Sequence, residues 1–361
     1  MKKTLVALAV TAFAASAYAA PVFENETTKV DFWGSLRVGF ENVSSEDKKA
    51  DGTVTKKSGN TKLVNQGSRF GVDVKHQLGD GYYALGGLQV RVDDASVYAK
   101  DGSGDNSRFG ELHTRRAFVG VGKKEIGQIT FGEQLTIADN YGLTDDKALG
   151  FTPSYITTEA TSVVQYTYQG IEGLTLGANY NFKQTHNARG QALPVTVKNE
   201  YGAGAVYQTD VAEGQRFLIE GGYGRTNYET GTAAKHYRDG YEVALGYEIG
   251  ALRLFSDFGH KYEKNGSTKV KSFYVAPGAQ YQIDEKTKVY ANYLYENVDT
   301  ANSGKETKKH GVLAFVEHKL HKNVSVYVEG IYAKTKSFAT DGSYVGKATN
   351  KGIATGMHVN W

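Results

Sequence analysis

The sequence predicts an all-β protein: a 16-stranded antiparallel transmembrane β-barrel with one long loop folded inward. Three observations predict it. Sixteen segments alternate apolar and polar side chains at period two, their connections alternate between tight turns and long polar stretches, and the composition favours strands and turns, with 43 Gly, 25 Tyr and 16 Phe against 4 Pro. Alternating strands of roughly ten residues, with turns at one end and loops at the other, are the signature of a membrane barrel. A soluble sandwich or propeller has no reason to keep that strict alternation of connection length.

Ahead of the barrel, Lys2 and Lys3 precede an apolar run over residues 5–15, and Ala17-Tyr18-Ala19 follows it. That pattern marks a secretory signal with a small-residue cleavage site. Residues 1–19 are therefore expected to be removed and residues 20–361 to form a single exported barrel domain of the outer-membrane type. The run is shorter than the roughly 20 apolar residues that a spanning helix needs, and no later stretch reaches that length either.

The first strand covers residues 28–42, with Val30, Phe32, Leu36, Val38 and Phe40 on one face and Asp31, Ser35, Arg37 and Glu41 on the other. The pattern recurs over 68–78, 82–92, 111–122, 127–134, 162–168, 174–183, 199–208, 215–228, 238–248, 251–262, 270–283, 287–297, 309–320, 323–334 and 351–361. Turns such as Gly79-Asp80-Gly81 and Ile249-Gly250 exchange with long polar connections at 43–67, 93–110 and 335–350. Tyr82, Tyr281 and Trp361 fall near strand ends, where aromatic girdles form.

Magnitude decides which face looks outward. An arginine on the lipid face near mid-bilayer costs about 2–4 kcal/mol, and a one-residue slip exchanges the two faces of a strand as a set. The charged face therefore lines the interior, which places Arg37, Arg69, Arg91 and Arg116 on the inner wall of four early strands. A closed sheet leaves no unpaired edge in hydrocarbon, and sixteen strands enclose more space than side chains fill, so water fills the rest.

Residues 135–160 keep no alternation of their own. A connection of this length without regular structure is usually functional or disordered, and this one carries Ile137, Tyr141, Leu143, Leu149, Phe151, Tyr155 and Ile156, apolar surface enough to pack. Asp139, Asp145 and Asp146 gather acid in its first half. It is expected to fold into the lumen and narrow a water-filled hole.

The leader MKKTLVALAV, the stretch NQGSRFGVDVKHQLGDGYYA (65–84), the stretch RRAFVGVGKKEIGQITFGEQ (115–134) and the closing aromatic strand together resemble the Gram-negative general porins, above all the major porin of the Haemophilus and Pasteurella group. The resemblance implies a homotrimer of 16-stranded barrels in the outer membrane, in contact with its lipid and lipopolysaccharide. It also implies a third loop whose acids, here Asp139, Asp145 and Asp146, face a ladder formed by Arg37, Arg69, Arg91 and Arg116. Glu133 stands where such porins often carry arginine.

Several function classes are disfavoured. Basic residues number 42 against 39 acidic ones, and 40 against 39 without Lys2 and Lys3, a balance that does not suggest a nucleic-acid partner. Without cysteine there is no thiol nucleophile and no Cys-ligated metal. The nine histidines show no H-E-x-x-H pattern, G-x-S-x-G is absent, and His318 and His321 sit at a turn rather than at a zinc site. No enzyme activity, cofactor or metal is therefore expected. The leading expectation is a passive channel for ions and small hydrophilic solutes. A sugar- or anion-selective porin is the nearest alternative, weakened by having only Phe118 and Tyr327 as inward aromatics, and an adhesive barrel acting through basic loops such as SGKETKKH is the third.

Overall fold

A computed structural model describes residues 20–93, 111–187, 192–231, 234–301 and 304–361. The expected signal segment and nearly all of the expected loop at 93–110 lie outside them. Sixteen strands close into an antiparallel barrel: β1 (Thr28–Lys49), β2 (Arg69–Gly79), β3 (Tyr82–Asp93), β4 (Glu111–Lys123), β5 (Gly127–Leu135), β6 (Glu159–Ile171), β7 (Leu174–Asn181) and β8 (Ala192–Ala212), followed by β9 (Gln215–Tyr228), β10 (His236–Ile249), β11 (Leu252–Asn265), β12 (Thr268–Gln282), β13 (Thr287–Ala301), β14 (Lys305–His321), β15 (Val324–Phe338) and β16 (Tyr344–Asn360).

Closure is made by β1 alone. Its lower half pairs with β2, from Thr28↔His76 to Ser35↔Arg69, and its other edge pairs with β16, from Ser35↔Asn360 to Lys49↔Gly346. Below Trp361 the line of β16 is continued by a short strand, Ala20–Glu24, which pairs with β1 from Ala20↔Phe32 to Glu24↔Lys29. Gly34 and Trp361 exchange both backbone hydrogen bonds, at 3.0 and 3.1 Å. No sheet edge is left open where the ends meet, as hydrocarbon requires.

The faces follow the expected phase. Leu36, Phe40, Phe70, Leu88, Val119, Leu245, Val312, Val328 and Ile353 are exposed on the outer wall, while Asp31, Gln89, Glu242, Asp257 and Glu329 are buried on the inner one. At the tight turn between β2 and β3, Asp80 and Gly81 take φ of +50° and +79°; glycine meets this requirement without the steric cost of a side chain.

Two of the connections expected as loops are largely strand. Within 43–67, β1 runs on to Lys49 and two short strands, Val54–Lys57 and Lys62–Asn65, fold back on it; within 335–350, β15 and β16 continue almost to their connecting turn. These stretches rise above the apolar band, so they form strand without an apolar face, and period-two hydrophobicity does not see them. Strands β2 to β7 span 8 to 13 residues, whereas β8 to β16 span 14 to 21. The barrel therefore has a low side and a high side.

Candidate functional site

The connection between β5 and β6 opens with Thr136, whose hydroxyl accepts from the Ala138 amide and caps a single helical turn, Ile137–Asn140. From there the chain runs against the inner wall, where small residues make room for it. Ile137 occupies the space a side chain at Gly177 would need, Tyr141 that of Gly204 and Gly222, Leu143 that of Gly246, and Phe151 that of Gly311. Phe151 and Tyr155 join Phe255, Tyr274, Leu294, Leu313 and Phe315 in a buried apolar cluster. Tyr290 stacks in it between Phe255 and Phe315, with centroids 5.6 and 4.7 Å away. Inward aromatics are thus more numerous than the sequence reading of Phe118 and Tyr327 allowed; most lie beneath the loop, where their burial keeps them off the open lumen.

Backbone amides of the loop are met by carboxylates from the high side. Asp257 accepts from the Leu143 and Thr144 amides at 2.9 Å and from the Thr144 hydroxyl at 2.7 Å. Glu329 accepts from three consecutive amides, Lys147, Ala148 and Leu149, at 2.7–2.9 Å. Glu242 accepts from the Tyr155 amide, and Glu200 from the Thr157 hydroxyl at 2.7 Å. Desolvating a carboxylate is costly unless donors replace its water, and amides clustered along one loop supply them.

On the first four strands, Arg69 stands directly opposite Arg91 in register and Arg116 opposite Gln89, while Arg37 faces His358 on β16. Arg37, Arg91, Arg115 and Arg116 all lie within electrostatic reach of Arg69. Like charges directly across a strand pair destabilise it, so this row works against stability. Arg115 was missed by the sequence reading. Strict alternation would turn it toward lipid, but the register shifts between Gln89 and Val90, and the resulting bulge at Arg115 brings its guanidinium to the Glu159 carboxylate. Glu133 lies near both.

The three loop acids separate. Asp139 is within electrostatic reach of Arg116, Arg115 and Arg69. Asp145 instead joins a cluster of lysines, 3.1 Å from Lys147 and 3.5 Å from Lys288, and both lysines also pair with Glu317 at 3.2 Å. Asp146 lies beside Glu329 and Asp145. Burial, with help from those two carboxylates, raises the Asp146 pKa to about 6, and burial raises Asp139 despite Arg116. Both loop acids are thus more readily protonated than free aspartates.

A model of the Gram-negative porin family matches residues 4–337. The chain belongs to that family. The major outer membrane protein of Pasteurella multocida (strain Pm70) is 28% identical to this porin over 351 residues, covering 93% of this chain and 94% of that one. Among solved structures, in-vitro folded OmpT, an outer membrane protein of Vibrio cholerae, superposes with a TM-score of 0.66 at 20% identity over 95% of this chain and all of that one; its trimer form gives 0.64 at 20% identity over 93% and 100%. An anion-selective porin from Comamonas acidovorans gives 0.61 at 20% identity over 92% and 100%. The porin is an outer-membrane protein of a Gram-negative bacterium, as its relatives are.

The anchoring carboxylates of the porin also escaped the sequence reading, although a signal for them exists. Glu242, Asp257 and Glu329 each occupy the inward phase of a long strand, flanked by apolar outward neighbours such as Val243, Phe258 and Val328. An acid so placed needs a partner across the lumen, and the loop is that partner.

Proposed function

We propose that the protein is a general diffusion porin, in which ions and small hydrophilic solutes pass through water between the docked loop and the arginine wall. The observation that carries this reading is the docking of the loop: it is held to β11, β15 and β10 by Asp257, Glu329 and Glu242, while Arg37, Arg69, Arg91 and Arg116 gather on β1 to β4. Arg37, Arg69, Arg91 and Arg116, joined by Arg115, form the basic side of the constriction. Asp139 is its acidic counterpart, and Asp145 and Asp146 add negative charge farther round. Opposed charge orients water across the opening and penalises apolar solutes, and neither a gate nor catalytic chemistry is required.

A homotrimer is supported by the low side. Strands β2 to β5 carry Phe70, Val74, Leu88, Val119 and Phe131 on an outer face of short strands, a surface suited to burial against neighbours, and the Vibrio cholerae relative has a trimer form. The high side is left to outer-membrane lipid and lipopolysaccharide.

A preference for anions is the second reading. Asp257, Glu329 and Glu242 spend their charge on loop amides, whereas Arg37, Arg69, Arg91 and Arg116 gather positive charge on four neighbouring strands.

Swelling of liposomes loaded with the refolded protein separates general from selective passage. Rates for neutral sugars should fall smoothly with solute mass and rise linearly with concentration. Saturation for one sugar would overturn general diffusion.

A further inference from the structure

A cavity of 370 Å³ lies where the end of the docked loop meets the inner wall of β8 to β11, a volume in the range of small-molecule sites. Thr157 and Glu159 border it from the loop, and His236, Arg238 and Glu263 from the wall. The tight turns of these strands, at Gly214 and Gly250, stand at their other ends. The cavity therefore belongs to the exterior mouth of the barrel.

Its chemistry is set by a cross-strand pair that does not close. Arg238 on β10 is directly opposite Glu263 on β11 in register, a placement in which opposite charges attract. Each turns elsewhere. Arg238 Nη2 donates to the hydroxyls of Thr157 and Thr226, both at 3.2 Å, and Glu263 Oε1 lies 3.1 Å from His236 Nε2. The His236 ring is itself stacked on Tyr228, with centroids 4.1 Å apart. Nε and Nη1 of Arg238 and the second oxygen of Glu263 have no hydrogen-bond partner among the described residues.

The other charged groups of the lining are engaged. Glu159 pairs with Arg115. Glu200 accepts from the Thr157 and Thr226 hydroxyls at 2.7 and 2.8 Å and from the side-chain amides of Asn181 and Gln184 at 3.0 and 3.2 Å. Both hydroxyls thus give their protons to Glu200 and turn lone pairs to Arg238. The guanidinium is held in place while its remaining donors stay open.

One open cation, one open anion and the apolar surface of Leu193, Val195, Val197 and Tyr228 line a single cavity. A carboxylate takes charge-assisted hydrogen bonds from a guanidinium, and an ammonium gives them to a carboxylate. A phosphate would set further negative charge beside Glu263 and Glu200, and a neutral sugar gains nothing from either open charge.

We propose that this cavity binds zwitterionic amino acids with apolar side chains, the carboxylate on Arg238, the ammonium on Glu263 and the side chain against Leu193, Val195, Val197 and Tyr228. The proposal rests on the diffusion-channel reading and names one solute class that the channel holds as well as passes.

The test uses the barrel lacking residues 1–19, refolded in detergent, and saturation-transfer NMR titrations with three probes: L-leucine, 4-methylpentanoate, which lacks the ammonium, and 3-methylbutylamine, which lacks the carboxylate. L-Leucine is expected to saturate, and each singly charged analogue to bind about tenfold more weakly, the loss that accompanies one set of charge-assisted hydrogen bonds. R238Q and E263Q should each abolish the preference for the zwitterion. R225Q, which removes an arginine paired with Asp239 instead, should keep it. Equal binding of the three probes, or a preference unaltered in R238Q and E263Q, would overturn the site. The comparison of probes on the wild type decides the matter even where a variant fails to fold. Entry of neutral sugars into liposomes made with the same samples reads the channel separately: a variant that admits sugars but no longer prefers L-leucine supports the site, and a wild type that binds L-leucine yet admits no sugar contradicts the channel instead.

Discussion

A porin carrying Glu329→Gln and Asp257→Asn is expected to fold as a barrel yet conduct with a larger, noisier current than the wild type. Glu329 accepts from three loop amides, and Asp257 from two amides and a hydroxyl. Hydrogen bonds to a charged partner contribute about 1.5–3 kcal/mol each. A carboxamide keeps one oxygen and turns an N–H₂ toward the donors, so each anchor loses at least one such bond and gains a repulsive contact. A loss of about 3 kcal/mol moves the docked-to-undocked ratio of the loop by about 150-fold. The barrel itself is held by its interstrand ladders and should keep its β circular dichroism. Planar-bilayer recordings measure the current, and a trace indistinguishable from wild type would show that these carboxylates do not hold the loop.

The second large effect is expected from the arginines. Replacing Arg37, Arg69, Arg91 and Arg116 together by glutamine removes four charges from one wall while leaving Arg115 on Glu159. The reversal potential in a tenfold salt gradient should move strongly toward cation preference. Because registered like charges oppose pairing, as at Arg69↔Arg91, the variant should also melt no lower than wild type. Lowering the pH from 7 to 5 acts in the opposite direction: Asp146 has a pKa of about 6, so protonation withdraws negative charge from the loop and favours anions. In Asp146→Asn that part of the pH response should be absent. An unchanged reversal potential in the fourfold arginine variant would mean that the wall does not border the conducting path.

Most of this arrangement was legible in the sequence because the bilayer imposes it. Phe70, Val72 and Val74 alternate with Arg69, Gly71 and Asp73, and only one phase keeps charge out of lipid, so the arginine row could be placed strand by strand. Three features were not legible, for different reasons. The bulge at Arg115 breaks the period on which the reading depends, and nothing in RRAF announces it. The upper parts of β1, β15 and β16 rise beyond the apolar band, so their strand character leaves no hydrophobic alternation. The division of the loop acids, Asp139 toward arginine and Asp145 toward Lys147 and Lys288, depends on which strands the loop touches, and that is fixed by long-range pairings such as Leu143 with Asp257. Local sequence carries no record of a contact more than a hundred residues away.

As proposed, a water-filled path remains between the docked loop and the arginine wall. Single-channel recording of the refolded chain lacking residues 1–19, in a planar bilayer at two salt concentrations, tests it most directly. Steps arriving in threes, with conductance proportional to bulk salt, are the result expected of open pores in a trimer. Silence from protein that circular dichroism shows to be folded β would contradict it, because the loop would then close the barrel rather than narrow it.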